Sequence, residues 1–195
     1  MAMFNLGVLE KEQGHIEKAR DWYVKAVASG HAEAAPRAMV NLGGLEDEQG
    51  NFDVARSWYF KAVASDHAET APMAMVNLGV LEQGQGHIEK ARSWYFKAIA
   101  SDHADQAPRA MVNLGVLEKE QGHIEKARDW YVKAVASGHA KSARRAQDRL
   151  DALERSEDDL QRAENFAKYG APFIDADFDH PTVAETIDTR EDESK

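Results

Sequence analysis

The sequence contains no cysteine, only five prolines, and no long run of apolar residues. Without cysteine the chain has no disulfides, no thiolate zinc site and no cysteine nucleophile. No apolar run approaches the roughly 18 to 20 residues that span a bilayer, and the N-terminal residues lack the pattern of a secretory signal. We therefore expect a cytoplasmic protein that does not associate with membranes.

An excess of basic residues is also missing. The net charge is -10, but residues 151–195 hold 14 acidic and 5 basic side chains. The first 150 residues therefore carry 20 acidic and 19 basic side chains and are nearly neutral. Because phosphate backbones are bound by surfaces rich in lysine and arginine, this balance argues against a nucleic-acid partner.

The chain does contain a sequence repeat, which occurs four times with a period of 36 residues. Residues 2–32 and 110–140 differ at one position only, where Phe4 stands against Val112. A period between about 20 and 50 residues is typical of solenoids, in which each unit buries its apolar face against its neighbours. The residues that recur in register include Asn5, Asn41, Asn77 and Asn113, and the tryptophans Trp22, Trp58, Trp94 and Trp130, each followed by tyrosine.

Each unit is predicted to form two helices, so the fold class is an all-α solenoid of helix-turn-helix repeats over residues 1–140. In the second copy Ala38, Leu42 and Leu45 recur at helical spacing, and the residues around Gly50 supply the break before a second apolar face. We call the first helix of each unit helix A and the second helix B.

Proline, glycine and aspartate predict where these helices begin and end. A proline precedes the apolar residues of each internal helix A, so each of these helices should begin within one or two residues of its proline. The residues that end helix B suit a left-handed position, which glycine adopts freely and aspartate tolerates. The prolines are Pro36, Pro72 and Pro108, and the closing residues are Gly30, Asp66, Asp102 and Gly138.

Residues 141–169 are predicted to form a degenerate fifth repeat that acts as a C-terminal cap. Ala146, Leu150 and Leu153 continue the helix A pattern, and Leu160 to Phe166 continue that of helix B. The outward positions are charged, as a terminal cap requires. Residues 170–195 then form an acidic tail that is either flexible or docked.

Several residues of the second copy resemble the tetratricopeptide repeat. The pattern consists of Met39-x-x-Leu42-Gly43-x-x-Glu46, Gly50, and Ala55-x-x-Trp58-Tyr59-x-Lys61-Ala62, the last part being similar to the Sel-one-like relatives. Met39 stands where the family typically has tryptophan, and Glu46 where it has tyrosine. The resemblance implies a right-handed superhelix whose A helices line a concave groove, and a non-enzymatic scaffold for protein interactions.

Helical geometry also predicts the residues that face this groove. At 100° per residue, Arg37, Asn41 and Gly44 form a second stripe on helix A, away from the core stripe. A carboxamide offers a donor and an acceptor to a peptide backbone, valines beside it offer apolar pockets, and the resemblance implies the same contact for the asparagines. The alternative is that the asparagines bond to the neighbouring helix and fix the stacking. The predicted peptide-binding residues are Asn5, Val8, Arg37, Val40, Asn41, Val76, Asn77, Val80, Arg109, Val112, Asn113, Val116, Arg145 and Arg149.

A group of arginines and the acidic tail suggest what kind of peptide the groove binds. Arg109, Arg145 and Arg149 could attract an acidic segment at the C-terminal end of the groove, or they are simply exposed arginines of a solvated cap. The tail from Phe173 to Phe178 places two phenylalanines and an isoleucine among acids, and we hypothesise that it is a self-ligand. The alternative is a solubilising tail.

The remaining patterns point to structure more than to chemistry. The tryptophan-tyrosine pairs could stack on bases, and RNA-reading repeats have units of similar length, but core packing is the favoured interpretation. The histidines form two series, one in the turns within repeats and one between repeats, and equivalent positions in stacked units are about 8 to 10 Å apart. A metal site needs several imidazoles within about 2.1 Å of one ion. No catalytic constellation is recognisable. We expect no metal, no cofactor and no enzymatic activity.

Two functions follow from the sequence. The first is a scaffold that binds an extended or helical peptide of a partner protein in the A-helix groove. The alternative is a structural or assembly module that forms homo-oligomers through its N-terminal repeat, which begins without a charged outer face, or through its C-terminal tail. The same N-terminal feature fits a chain that is a piece of a longer array.

Overall fold

The computed structural model describes residues 1–169, which form nine helices and no strand. Residues 1–154 make one compact unit, and a second unit begins at Arg155. The prediction of an all-α helical solenoid is confirmed. The helices are α1 (Ala2–Glu12), α2 (Ile16–Ala28), α3 (Ala34–Glu48), α4 (Phe52–Ala64), α5 (Thr70–Gly84), α6 (Ile88–Ala100), α7 (Gln106–Glu120), α8 (Ile124–Ala136) and α9 (Ala140–Tyr169).

The helix ends agree with the proline, glycine and aspartate pattern. Pro36 is the third residue of α3, in the first turn, where a missing N–H breaks no helical hydrogen bond. Gly50 has φ 78° and turns the chain between α3 and α4. After the B helices, Asp66 and Asp102 adopt φ 51° and 52°, so aspartate does occupy the left-handed position that Gly30 fills elsewhere.

The first four repeats are helical hairpins stacked in chain order. Their A helices are α1, α3, α5 and α7, and their B helices are α2, α4, α6 and α8. Each B helix contacts its own A helix and the next one, and successive A helices also contact each other. Within residues 1–154, the backbones of successive B helices do not approach each other in this way, although side chains such as Phe60 and Trp94 touch across them. The A helices are therefore closer together than the B helices and form the inner wall of the array.

Three consecutive helices contribute to each core cluster. In the cluster between the third and fourth repeats, Val76 of α5 meets Tyr95 of α6, and Leu114 and Leu117 of α7 close it from the next repeat. All four side chains are fully buried. An internal A helix therefore buries two faces, one against its own B helix and one against the preceding repeat.

A charged cluster joins each repeat to the next. Arg92 Nε of α6 donates to Glu118 Oε1 of α7 at 2.7 Å, and His123 Nδ1 lies 2.7 Å from the other carboxylate oxygen. Glu118 is 3% exposed. Burial alone would raise the pKa of Glu118, but the hydrogen bonds from Arg92 and His123 outweigh it and lower the pKa. The equivalent pairs are Arg56 with Glu82 and Arg20 with Glu46.

The histidines between repeats have a structural role as well. His67 Nδ1 accepts hydrogen bonds from the backbone N–H groups of Glu69 and Thr70 at the start of α5. Its Nε2 lies 3.1 Å from Glu33 of the preceding repeat. The ring therefore satisfies amides at a helix N-terminus that have no partner within the helix, and it ties two repeats together.

The tryptophans pack against the core, as expected. Trp58, Trp94 and Trp130 are half-buried at the edges of core clusters. The Nζ atom of Lys97 lies 4.0 Å from the centroid of the Trp94 ring, within the range of a cation-π contact. Phe60 of the preceding B helix meets the same tryptophan edge-on at 5.5 Å between centroids.

The predicted hairpin in the fifth repeat is wrong, because α9 is one helix of 30 residues. The turn of the fourth repeat contains Gly122 with φ 78°, but its counterpart 36 residues later is Asp158, so no glycine is there to turn the chain. Only the first half follows the repeat pattern: Leu150 and Leu153 are buried, whereas Leu160 is 63% exposed. The cap role of residues 141–169 stays a prediction.

Candidate functional site

The asparagines of the predicted groove occupy equivalent positions on successive A helices. Asn41, Asn77 and Asn113 are half-buried on α3, α5 and α7, and Asn5 on α1 is exposed. Within residues 1–169, the side chains of Asn77 and Asn113 form no hydrogen bond to another protein group. Their donors and acceptors are thus unused on the inner wall.

Asn41 lies near a buried tyrosine of the preceding repeat. Burial raises the pKa of Tyr23 on α2, and the neighbouring carboxamide of Asn41 partly opposes this rise. The Tyr23 hydroxyl nevertheless has no well-formed hydrogen bond among the residues that the structure describes. Asn41 therefore approaches the preceding repeat, the arrangement expected if it helped to fix the stacking.

Three of the predicted groove residues are not on the inner wall. Val40, Val76 and Val112 are 6%, 0% and 1% exposed and belong to core clusters, packed against the B helix of their own repeat. The prediction that these valines contact a ligand is therefore corrected. Helix A was predicted to have one buried face, whereas a stacked hairpin buries two.

The other predicted valines lie closer to solvent. Val8 and Val116 are half-buried, and Val80 is 44% exposed. The second repeat has Gly44 at the same position, where an added Cβ would meet only the Tyr59 hydroxyl oxygen, at 3.8 Å. The apolar surface of the inner wall is therefore interrupted at the second repeat.

Five predicted residues line one cavity at the C-terminal end of the inner wall. The cavity has a volume of about 420 Å³ and lies between α5, α7 and the first part of α9. Valine side chains give it an apolar floor, an asparagine gives it a carboxamide, and two arginines give it positive charge. The predicted residues in its lining are Val80, Asn113, Val116, Arg145 and Arg149.

Gln83 and Tyr95, which the sequence did not predict to face the groove, also line this cavity. The Tyr95 hydroxyl donates to Gln83 Oε1 at 2.8 Å, and Gln83 Nε2 donates to Glu120 Oε2 at 2.7 Å. This chain of hydrogen bonds links α6, α5 and α7 along the cavity wall. The sequence signal is Gln83-Gly84, which replaces the Lys-Glu pair found at the same place in the first and fourth repeats.

Arg109 provides positive charge that no carboxylate of residues 1–169 neutralises. Burial lowers the pKa of Arg109, and Arg145 lowers it further, while Tyr95 and Tyr59 act in the opposite direction. No carboxylate lies within ion-pair distance of Arg109 or Arg145 in residues 1–169. Arg37, the remaining predicted arginine, is half-buried at the equivalent position of α3.

Within residues 1–169, no three His, Asp or Glu side chains are grouped so that they could hold a metal ion. None of the helices formed by these residues combines the length and apolar character that crossing a bilayer requires. The predicted self-ligand, Phe173 to Phe178, lies outside the described residues.

Comparison with solved structures gives the same fold. The crystal structure of BtubC (BKLC) from P. vanneervenii matches with a TM-score of 0.67 and 19% identity, covering 97% of this chain and 85% of that one. The crystal structure of MamA protein matches with a TM-score of 0.58 and 19% identity, covering 89% of this chain and 97% of the other. No curated protein matches the sequence.

The sequence itself matches a family model. The model for the tetratricopeptide repeat fits residues 4–72 and 76–140, which together make up more than half of the chain. The predicted likeness to the Sel-one-like subclass remains a prediction. The repeats, the hairpins and the family model agree, and the chain belongs to the tetratricopeptide repeat family.

Proposed function

We propose that the protein is a non-enzymatic cytoplasmic scaffold that binds a peptide segment of a partner protein along the inner wall of its A helices. The observation that carries this proposal is the pair of unpaired carboxamides on Asn77 and Asn113. These carboxamides are not sealed from water, so a peptide can bind them by replacing water, without first breaking a hydrogen bond within the protein. The backbone of an extended or helical peptide would supply the missing donors and acceptors.

The cavity beside Asn113 indicates what such a peptide carries. Val80 and Val116 would hold an apolar side chain, and Arg145 and Arg149 would hold an acidic group next to it. Arg109 adds charge that no protein carboxylate offsets within residues 1–169. A peptide with an acidic residue near an apolar one therefore fits best, and binding should weaken as ionic strength rises.

The test is selection from a displayed random-peptide library, followed by titration calorimetry of the selected peptide. Replacing Asn41, Asn77 and Asn113 together by alanine should weaken binding about tenfold or more, the effect of losing 1.4 kcal/mol. A control variant changes Lys18, Lys90 and Lys126, which are exposed on B helices, and should bind normally. Equal affinities for the asparagine variant and the wild type would refute groove binding.

The tail peptide, residues 170–195, is the first defined sequence to titrate. It holds Phe173, Ile174 and Phe178 among aspartates, so it has the acidic and apolar character that the cavity favours. If it is a self-ligand, a chain truncated after Tyr169 binds the added tail peptide, and the truncation raises the affinity for the selected peptide. No heat on titrating the tail peptide would argue against the self-ligand without affecting groove binding.

The alternative function is self-association, and light scattering across a dilution series separates it from groove binding. A protein whose mass stays at one protomer, 21.7 kDa, at all concentrations is not an assembly module. A mass that rises with concentration in the wild type, and stays at one protomer after truncation, would assign assembly to the tail.

A further inference from the structure

A further cavity, which we call the α7–α9 cavity, lies between the N-terminal ends of α7 and α9. It has a volume of about 430 Å³, and its lining residues come from the first two turns of each helix and the residues just before them. Arg145 also lines the cavity on the inner wall, so the two cavities are neighbours. Because helix N-termini carry partial positive charge, both helices favour an anion here.

Gln106 is a buried wall residue of the α7–α9 cavity. It is 8% exposed, and its Oε1 atom is sealed from water without a hydrogen-bond partner among the described residues. No hydrogen bond to another of residues 1–169 uses its Nε2 either. Since an unpaired buried amide costs free energy, a ligand that pairs with it is favoured, and the amide can turn to present either its N–H or its oxygen.

Three cations line the same cavity. Arg109 comes from α7, and Lys141 and Arg145 come from α9. No carboxylate of residues 1–169 lies within ion-pair distance of any of the three. The carboxylate in the lining, Asp105, pairs instead with His139, whose Nε2 lies 3.2 Å from Asp105 Oδ1. The cations therefore repel one another, and an anion between them would relieve this repulsion.

The earlier pairs of A helices lack this combination of charges. At the position of Lys141 the earlier repeats have an acid, which is Glu33, Glu69 or Asp105. At the position of Arg145 the third repeat has Met73. The pairs α3–α5 and α5–α7 therefore each have two acids and one arginine where the pair α7–α9 has three cations and one acid.

We propose that the α7–α9 cavity binds the phosphate group of a phosphorylated serine or threonine in the partner peptide. This role rests on the proposed groove binding, because a peptide that lies along the inner wall brings its residues to the neighbouring cavity. Arg109, Lys141 and Arg145 pair with the phosphate oxygens. Gln106 donates its side-chain N–H to one of them. Arginine is suited to this role because it forms charge-assisted, bidentate hydrogen bonds with phosphate.

The charge of the lining favours phosphate over a carboxylate. Three cations and one carboxylate leave a net charge of +2 when His139 is neutral. A phosphate monoester carries about −1.5 to −2 charges at pH 7, whereas a carboxylate carries a single negative charge. Phosphate therefore neutralises the cavity, and a carboxylate leaves it positive.

The cavity is tested directly by titrating the full-length protein with N-acetyl-O-phosphoserine N-methylamide. Binding should shift the NMR signal of the Gln106 side-chain amide, which is identified by its loss in Gln106→Thr. Lys141→Glu should weaken binding at least about tenfold. Both changes introduce residue types that earlier repeats have in register, at Thr70 and Glu69, so the fold should tolerate them.

The matched control is Arg144→Glu, which makes the same change of charge at an exposed position of α9 outside the lining and should leave binding unchanged. Circular dichroism confirms that each variant is folded. Three results would overturn the phosphate site. These are an unshifted Gln106 signal, equal losses for Lys141→Glu and Arg144→Glu, or equally tight binding of N-acetylaspartate N-methylamide.

Titration calorimetry then tests whether the phosphate belongs to a peptide. The peptide selected from the library is synthesised with phosphoserine at each position in turn, and with serine at the same position. Phosphate at one position should raise the affinity at least about tenfold. Lys141→Glu should remove this gain and leave the affinity for the serine peptide unchanged.

The failures of the two proposals differ. If the serine peptides bind and no phosphorylated position gains affinity, the phosphate assignment is overturned and groove binding stands. If no peptide binds while the phosphoserine compound still shifts the Gln106 signal, groove binding fails. The ligand of the cavity is then a free phosphate monoester, which overturns its assignment to a peptide.

Discussion

The ring of Tyr59 on α4 lies against the backbone of Gly43 on α3, so closely that a Cβ on Gly43 would come within 2.6 Å of the ring atom Cδ1. Tyr59 is 2% exposed and belongs to the core cluster of its repeat. The other three repeats contain the same pair, with Gly7 against Tyr23, Gly79 against Tyr95 and Gly115 against Tyr131. Glycine at this position therefore sets how closely the two helices of each hairpin approach.

Gly43→Ala should destabilise the protein by about 1–3 kcal/mol, because the new methyl group forces the Tyr59 ring or the helix to move. The matched control is Gly44→Ala on the same helix, where the added Cβ meets only the Tyr59 hydroxyl oxygen, at 3.8 Å. That change should be neutral or stabilise by up to about 1 kcal/mol, since alanine is the better helix former. Urea unfolding monitored by circular dichroism measures both. Equal effects of the two changes would contradict the close packing.

Arg92→Ala should also destabilise the protein, by about 2–3 kcal/mol. It removes a charge-assisted hydrogen bond and leaves the buried Glu118 carboxylate with His123 as its remaining partner. Lys11→Ala is the control, because Lys11 pairs with Glu48, whose side chain is 59% exposed, and exposed pairs contribute about 0–1 kcal/mol. Chemical denaturation of both variants measures the difference. A loss for Arg92→Ala no larger than that for Lys11→Ala would show that the charged cluster does not hold the repeats together.

The same cluster predicts how stability depends on pH. The pKa of Glu82 and that of Glu118 are lowered from 4.5, since their hydrogen bonds to arginine and histidine outweigh the opposing effect of burial. A folded-state pKa below the unfolded one gives stability that is present above pH 4.5 and is lost as the pH falls through the folded value. Changing both residues to glutamine should therefore flatten the fall in unfolding free energy between about pH 5 and 2.

Urea titrations at a series of pH values test this expectation. Glu48→Gln serves as the control, because its exposed side chain should leave the pH dependence close to that of the wild type. A double variant whose stability falls with pH as steeply as the wild type would show that these carboxylates are not the groups responsible.

The repeat period and the ends of the hairpins could be predicted from sequence because they depend on local patterns. Gly50 and Asp66 mark turns through their own backbone preferences, whichever residues lie nearby in space. The fifth repeat could not be predicted in the same way. Its apolar spacing continues that of the array, but Asp158 replaces the glycine that would have ended the helix, and α9 runs through.

The residues that line the inner wall could be predicted only in part, for a different reason. Asn77 and Val80 are on the inner wall as their helical stripe indicates, but Val76 is in the core because helix A packs on two neighbours. The ion pair between Arg92 and Glu118 joins two repeats. The positions of residues on a single helix do not reveal such a contact. Its sequence signal was a constant separation of 26 residues between the two, repeated from copy to copy.

Site-specific photocross-linking tests the central claim most directly. Val80 and Phe96 are 44% and 45% exposed, the first on the inner wall and the second on a B helix. Benzoylphenylalanine is placed at one position or the other, and each protein is irradiated with the peptide selected from the library. We predict a cross-linked product from position 80 and none from position 96. A product from position 96 alone would contradict binding along the A helices.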